Sequence, residues 1–597
     1  MKKILFIPAT ISLILIATSS WSTNYYASTT GSAGNAGTLA SPWSILRALN
    51  DHNTYSGYTL PGPGDTLWIR GGTYSLGSAS EWCQPQILGT AGNPLIIRNY
   101  NNERVTFSCE GGFGAGSSHY TWWWGIEFTG TSSQNLNQAG ASGVQTSGMY
   151  QRWINCIVHD ATGAGFADWG DAPGNHITGC LVYYNGRVNA YDTKTAHNYG
   201  IYAQTHFTTS SPPYGYDPAG TVKSKYYRDN IWWNNFGQFQ LHLYTSGDAS
   251  SGDAAYAAVD SFFISRNVIF SYSQTPTLIN DWGATDRGIR GLTVDSCMWW
   301  SSTNMGYLQD LLKQGEMAPQ GATIRGNYFM RGRVAWVTGK GTGTITGNTF
   351  YGRWPAINNG DTPLGSSELP GNTFYCSGDE SPPSPTGTKT FLYQNQYEPR
   401  RANLIIYNFN QYNSVKVKMT PIYANGDTVQ LRGVQNYWTI ATTQIVANDS
   451  IAVPCNLTAI STPLSVPTGG IPDVYPQHSD SRFNAFVVYK IGWGTPEGQK
   501  TAVDNDAHLP REYSLHQNYP NPFNPDTKIE FGLPTTAHVT LEVFDALGRK
   551  VAILESSTLG AGFYTRRWSA AGFPSGVYLY RMRAGNFTEV KKMLLAK

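Results

Sequence analysis

Between residues 150 and 376 one short pattern recurs: a small or polar residue, then Asn or Cys, then two or three apolar or aromatic residues. Its instances are Asn155-Cys156-Ile157-Val158, Gly179-Cys180-Leu181-Val182, Asp229-Asn230-Ile231-Trp232, Arg266-Asn267-Val268-Ile269, Ser296-Cys297-Met298-Trp299, Gly326-Asn327-Tyr328-Phe329, Gly347-Asn348-Thr349-Phe350 and Gly371-Asn372-Thr373-Phe374. The Asn/Cys positions lie 24, 50, 37, 30, 30, 21 and 24 residues apart. A base period in the twenties, stretched by insertions, marks a β-solenoid. One coil cannot bury its own apolar face, but stacked coils share a continuous core. At a coil spacing of about 4.8 Å, stacked Asn amides form a hydrogen-bonded ladder. Cys is small and tolerates burial, so it can stand in that column. The spacing therefore predicts that Cys156, Cys180 and Cys297 are packing residues, with Cys156 and Cys180 as stacked thiols ahead of a disulfide. The seven cysteines form no CxxC pair and are odd in number, which indicates neither a zinc site nor a disulfide framework.

The N-terminal part extends the pattern. Pro63-Gly64-Asp65-Thr66-Leu67-Trp68-Ile69-Arg70-Gly71-Gly72-Thr73-Tyr74 and Gly92-Asn93-Pro94-Leu95-Ile96-Ile97-Arg98 resemble the first and second coils of right-handed parallel β-helix proteins. The resemblance covers roughly residues 24–376. It implies a fold and no single activity, because that fold hosts lyases, hydrolases, epimerases and adhesins. The expected chain is all-β: a right-handed parallel β-helix over 23–380, then two small β-sandwich domains. Ser381-Pro382-Pro383-Ser384-Pro385-Thr386-Gly387 reads as a linker. Short alternating strands from 388 to 493 suggest the first sandwich. Residues 494–510 are polar and read as a second linker.

Residues 511–597 carry Gln517-Asn518-Tyr519-Pro520-Asn521-Pro522-Phe523-Asn524-Pro525, the strand pattern Val539-Thr540-Leu541-Glu542-Val543-Phe544-Asp545, and Gly576-Val577-Tyr578-Leu579-Tyr580-Arg581. The segment resembles the type A C-terminal sorting domain of type IX secretion substrates. That implies an immunoglobulin-like sandwich, the type IX secretion machinery as a partner, and a place outside the cell or on the outer-membrane surface of a didermic bacterium. Lys2 and Lys3, followed by an apolar run from Ile4 to Ala17, read as a signal peptide over 1–22, too short to span a bilayer. No later apolar run is long enough for a transmembrane helix. A net charge of +2 gives no basic field for nucleic acid. An exported solenoid works without ATP or nicotinamide, as an expected monomer, which makes extracellular polysaccharide the leading partner.

Chemistry is expected in neighbouring coils. Aligning the inward aliphatics Ile201, Leu241 and Ile279 puts Tyr202, His242 and Asn280 in one outward column, since strand side chains alternate faces. Gln204, Tyr244 and Trp282 form a second. An earlier coil adds Phe166 inward, with Ala167 and Trp169 outward. The stretch from His197 to Gln204 resembles the "HGIYxQ" stretch of secreted β-helix proteins assigned to polysaccharide degradation, with Asn198-Tyr199 in place of the usual Gly. Gln240-Leu241-His242-Leu243-Tyr244 is similar to their later "GIHAY" pattern.

Aromatic faces can stack on sugar rings while His, Gln and Asn bond hydroxyls. Tyr202 and His242 are the expected catalytic pair: one removes the C5 proton of a uronate, the other protonates the leaving oxygen. His197, Gln204, Gln240, Tyr244, Asn280, Trp282, Trp169 and Arg287 are the expected substrate contacts. Lys194, Arg287 and Arg290 are candidates to neutralise the uronate carboxylate. Asp160, Asp168, Asp171 and Asp192, read as loop residues, are the rival set. Paired carboxylates suit glycoside hydrolysis, and the same oxygens suit Ca²⁺, the one cofactor considered. A non-catalytic adhesin or carbohydrate-binding protein is the alternative to a lyase or glycoside hydrolase.

Overall fold

The computed structural model describes residues 22–77, 82–130, 142–169, 174–186, 199–205, 225–235, 239–245, 259–260, 262–271, 277–280, 289–290, 292–301, 323–330, 335–337, 344–351, 357–359, 362–364, 367, 369–375, 385–464, 478–479, 481–491, 513–515, 518, 523–559 and 562–595. All but one residue of the expected signal peptide lie outside them. The described residues form two compact units, divided between Trp493 and Gly494.

The first unit opens with three parallel sheets wound as a solenoid. The first runs from Asn24–Ala27 to Thr344–Thr346, and the second from Gly72–Leu76 to Thr373–Phe374. The third holds Phe113–Gly114, Val144–Gln145, Phe166–Asp168, Tyr199–Thr205, Phe239–Thr245 and Thr277–Asn280. Six successive coils, from Leu95–Asn99 to Thr277–Asn280, visit all three in order. The sheets share one core, in which Trp123 stacks on Trp153 at 5.3 Å and Phe329 on Phe350 at 5.2 Å.

The recurring pattern is the tight turn from the first sheet to the second. Its leading residue is left-handed in every instance, from Asn155 (φ 53°) to Gly371 (φ 83°), which is why Gly, Asn and Asp are common there. The next residue forms the ladder. Asn230 Nδ2 donates to Asn267 Oδ1 at 3.0 Å, Asn327 to Asn348 at 2.9 Å, and Asn348 to Asn372 at 2.9 Å. The thiols of Cys156, Cys180 and Cys297 are free, buried and set against backbone carbonyls, as the spacing predicted.

A second, shorter ladder follows the second sheet. Asn185 Nδ2 donates to Asn235 Oδ1 at 2.9 Å, and Asn235 Nδ2 to Gln240 Oε1 at 2.7 Å.

Residues 388–491 form a five-stranded antiparallel sheet covered on one side by the pair Ser414–Lys418 and Ser450–Pro454. Its other side does not face water. Ile405, Tyr407, Val434, Phe483 and Val487 pack against Leu181, Tyr183, Trp233, Phe270 and Trp300 on the outer face of the second solenoid sheet. Arg401–Asn408 is consequently buried along its whole length. Arg401 donates to the carbonyl of Gly179 at 2.8 Å and Asn403 to that of Asp229 at 2.6 Å. This module is part of the solenoid's wall.

The second unit is a two-sheet sandwich, with Ser514–Leu515, Asp526–Leu533 and Gly562–Ser569 facing Lys550–Leu559, Ala537–Asp545, Gly576–Ala584 and Phe587–Leu595. Phe531, Leu541, Trp568, Tyr580 and Met582 fill its core. No helix among the described residues is long and apolar enough to cross a membrane.

Candidate functional site

With the second sheet covered from Ile157 to Met330, the outer faces of the first and third sheets remain, the first touched by Tyr397 and Glu398 of the module. The first carries a self-stacked row: Arg152 lies over Trp122 at 4.4 Å, His176 on Tyr226 at 4.4 Å, and Tyr226 on Phe263 at 4.9 Å. Rings stacked face to face along the axis offer a ligand their edges only.

The third sheet carries the expected columns in the expected register. Phe166 pairs with Ile201, Ile201 with Leu241, and Leu241 with Ile279. Tyr202 therefore stands beside His242, and His242 beside Asn280; Gln204 stands beside Tyr244. The Tyr202 and His242 rings lie 5.4 Å apart, edge to face. Trp169 meets Tyr202 at 5.3 Å. The alternation did not give Tyr199, which stacks on Tyr202 at 5.5 Å and meets His242 at 4.5 Å. Residues 199 and 202 cannot share a face of a regular strand. The break falls at Gly200, where a Cβ would sit 2.4 Å from the carbonyl oxygen of Gln240 and 2.7 Å from Asn235 Nδ2. The glycine of the "YGIY" stretch thus answers to packing of the second Asn ladder. Tyr202 and His242 are each 4 % exposed, so the cluster is closed at its base.

Other expectations are corrected. Gln240 is fully buried and ends the Asn185–Asn235 ladder, so it does not face a substrate. Its signal was in the sequence: Asn185 and Asn235 repeat the 50-residue step between Cys180 and Asn230. Asp168 is the last residue of a strand and not a loop residue. Its carboxylate points inward, accepting from Thr146 at 2.7 Å, Tyr227 at 2.6 Å and Asn175 at 3.0 Å, and pairing with Lys225 at 2.9 Å. Burial first, then the Asp168 charge, push the Tyr227 phenol well up, so it stays a neutral donor. Lys225 also donates to the carbonyls of Asp168 and Trp169, at 2.8 and 2.6 Å, and so fixes the backbone that carries Trp169 into the cluster.

Asp160 is held by His159 at 2.6 Å and by the Leu464 amide at 2.9 Å. His159 reaches Glu127 at 3.0 Å on its other nitrogen, and Glu127 also takes Arg104 at 2.8 Å and the Trp438 indole at 3.1 Å. Burial alone would lower the His159 pKa, but Asp160 and Glu127 outweigh it and raise it to about 9. Burial would raise Glu127, yet bonds from His159 and Arg104 bring it down to about 2. This buried charge cluster joins solenoid to module.

Among the described residues no group of three or more His, Cys, Asp or Glu could hold a metal. His197, Lys194, Asp171, Asp192, Trp282 and Arg287 lie outside the described residues. Gln204, Tyr244, Asn280 and Arg290 are placed by strand register alone.

Residues 25–203 match the family model "Pel9A-like, right handed beta helix region", and residues 517–596 match "Secretion system C-terminal sorting domain". No curated protein matches the chain. Similar solved structures include pectate lyase Pel9A (15% identity, 61% of this chain and 79% of that one, TM-score 0.33) and an alginate lyase from Paenibacillus sp. str. FPU-7 (14%, 60% and 99%, 0.29). A mannuronic acid specific polysaccharide family 6 lyase from human gut microbiota is 12% identical over 60% of this chain and 86% of that one, at a TM-score of 0.30. The chain is thus a right-handed parallel β-helix protein with a type IX sorting domain, secreted to the outer surface of the cell or beyond.

Proposed function

We propose that this secreted protein acts on extracellular polysaccharide, and that the outer face of the third sheet is where it does so. The observation that carries the reading is the cluster of Tyr199, Tyr202, His242 and Trp169, gathered from three successive coils. The family model matched by residues 25–203, named for Pel9A, supports it. Aromatic rings supply sugar-stacking surface, and Tyr202 with His242 supplies two groups able to pass protons. In a lyase reaction one would take the C5 proton of a uronate as the other protonates the departing oxygen. A basic group must neutralise the carboxylate; Lys194, Arg287 and Arg290 are the candidates.

One observation favours the second reading, a binding protein without turnover. Tyr202 and His242 are 4 % exposed and packed on each other. That arrangement holds a glycan at its rim more readily than it reaches into one.

Incubating the secreted protein with a panel of polysaccharides separates the readings. New reducing ends with unsaturated uronates indicate a lyase, and reducing ends alone a hydrolase. Silence on both with retained glycan binding leaves the binding protein. If no glycan is cut or bound, the proposal fails.

A further inference from the structure

The sorting domain has one sheet whose outer face carries exposed apolar side chains among its polar ones. In a sandwich, strand residues alternate between core and solvent, and the solvent set is expected to be polar. In the four-stranded sheet the inward set is buried, including Val539, Leu541, Val543, Tyr578, Tyr580 and Met582. The register of the outward set places Phe544, Leu579 and Lys592 side by side, then Ile553, Glu542, Arg581 and Val590, with Val577 beside Leu594. Ile553 is 55 % exposed, Val590 50 %, Val577 41 % and Leu594 40 %. Exposed apolar side chains gathered on one face in this way mark an interaction site. On the opposing sheet, the described outward positions Arg567 and Ser569 are exposed and polar.

Charge gives the patch a second property. Among the described residues, Lys550, Arg581, Arg583 and Lys592 stand on this face against the single carboxylate Glu542, four positive charges to one negative. Glu542 is already shared between Lys550 at 3.1 Å and Arg581 at 2.9 Å, and the Arg581 guanidinium lies over the Phe544 ring at 4.7 Å. The Glu542–Arg581 pair stands on the two central strands and the exposed Ile553, Val590 and Leu594 on the edge strands, so a partner complementary to this face carries apolar and acidic groups side by side. Residues 517–596 match a sorting domain, whose role requires a secretion component to bind it.

We propose that the outer face of the Lys550–Leu559, Ala537–Asp545, Gly576–Ala584, Phe587–Leu595 sheet is the surface the secretion machinery reads, through a surface on that machinery in which apolar and acidic groups alternate.

The test expresses the full chain in a type IX-competent host and measures the exported fraction. Ile553→Glu with Val590→Glu is expected to lose export while the retained protein keeps its thermal melt and protease resistance; wild-type export would overturn the proposal. Arg583→Glu with Lys592→Glu leaves every core side chain in place and is expected to lose export too. Unchanged export there would remove the acidic groups of the partner and with them the proposal, whatever the first variant does. Arg567→Glu with Ser569→Asp, on the opposing sheet, is expected to export normally. Loss in that control would show that any added charge blocks export and would sink the assignment. Light scattering on the full chain decides the remaining occupant: a dimer that Val590→Glu converts to monomer would give the face to a second copy instead.

Discussion

At Gly347 the backbone has a φ of 68°, and a Cβ there would find its nearest neighbour, the Gly326 amide nitrogen, at 3.6 Å. There is room for a methyl group, so the left-handed backbone alone sets the cost. Gly347→Ala should destabilise the solenoid by about 1 kcal/mol, read as a shift of the urea midpoint. At Gly179 a Cβ would fall 2.1 Å from Asn155 Oδ1 and 2.6 Å from Asn395 Nδ2, so the same change there should cost clearly more. Asn327 is fully buried and bonded on both sides of its rung; Asn327→Leu strands the Cys297 amide and should cost about 1–3 kcal/mol by the same measurement. These residues were legible in the sequence because the ladder repeats Asn, or the equally small Cys, at every rung. Tyr199 was not, and Gln240 was legible only through the Asn185–Asn235 repeat. Strand alternation fails where Gly200 lets Asn235 approach, and alternation was the rule used to assign faces.

Among the elements, the third sheet fell into its predicted register because inward Phe166, Ile201, Leu241 and Ile279 leave no other alignment that keeps the core apolar. Under the proposed function, His242→Ala should abolish any turnover without lowering the urea midpoint by more than a packing change does. Tyr202→Phe should keep glycan binding and lose turnover; unchanged turnover in either variant removes that residue from the chemistry.

The His159 cluster gives the junction between solenoid and module a pH profile. His159 is raised from 6.5 to about 9, so its contribution is complete below pH 6.5 and is lost as pH climbs through 9. Glu127 is lowered from 4.5 to about 2, so its contribution is complete above pH 4.5 and is lost as pH falls through 2. The junction should be firmest between pH 4.5 and 6.5. From there to alkaline pH the loss should be on the order of 3 kcal/mol. Denaturation followed against pH checks this, and His159→Gln should flatten the alkaline limb. The cluster was not legible in the sequence because Glu127 and His159 meet only when their coils stack, and Trp438 joins them only when the module docks.

On the scale of the whole molecule, that docking decides which faces can work. The sequence texture marked a second module after residue 387, but nothing in it said that Tyr183, Trp233, Phe270 and Trp300 would be roofed by Tyr407 and Phe483. Their aromatic character suits either a glycan surface or an interface, and only the packing distinguishes the two. A chain ending at residue 380 should expose that row, bind a hydrophobic dye and aggregate, whereas the full chain should not. A truncated solenoid that stays monomeric and dye-silent would contradict the roof.

With one sheet roofed and another self-stacked, the third is the working face under the proposed function. Its most direct test is a crystal structure of the secreted protein with an oligosaccharide of whichever polysaccharide the panel selects. Sugar rings are expected across the outer face of the third sheet, in contact with the Tyr199, Tyr202, His242 and Trp169 cluster. Sugar bound only on another face, with that cluster bare, would contradict it.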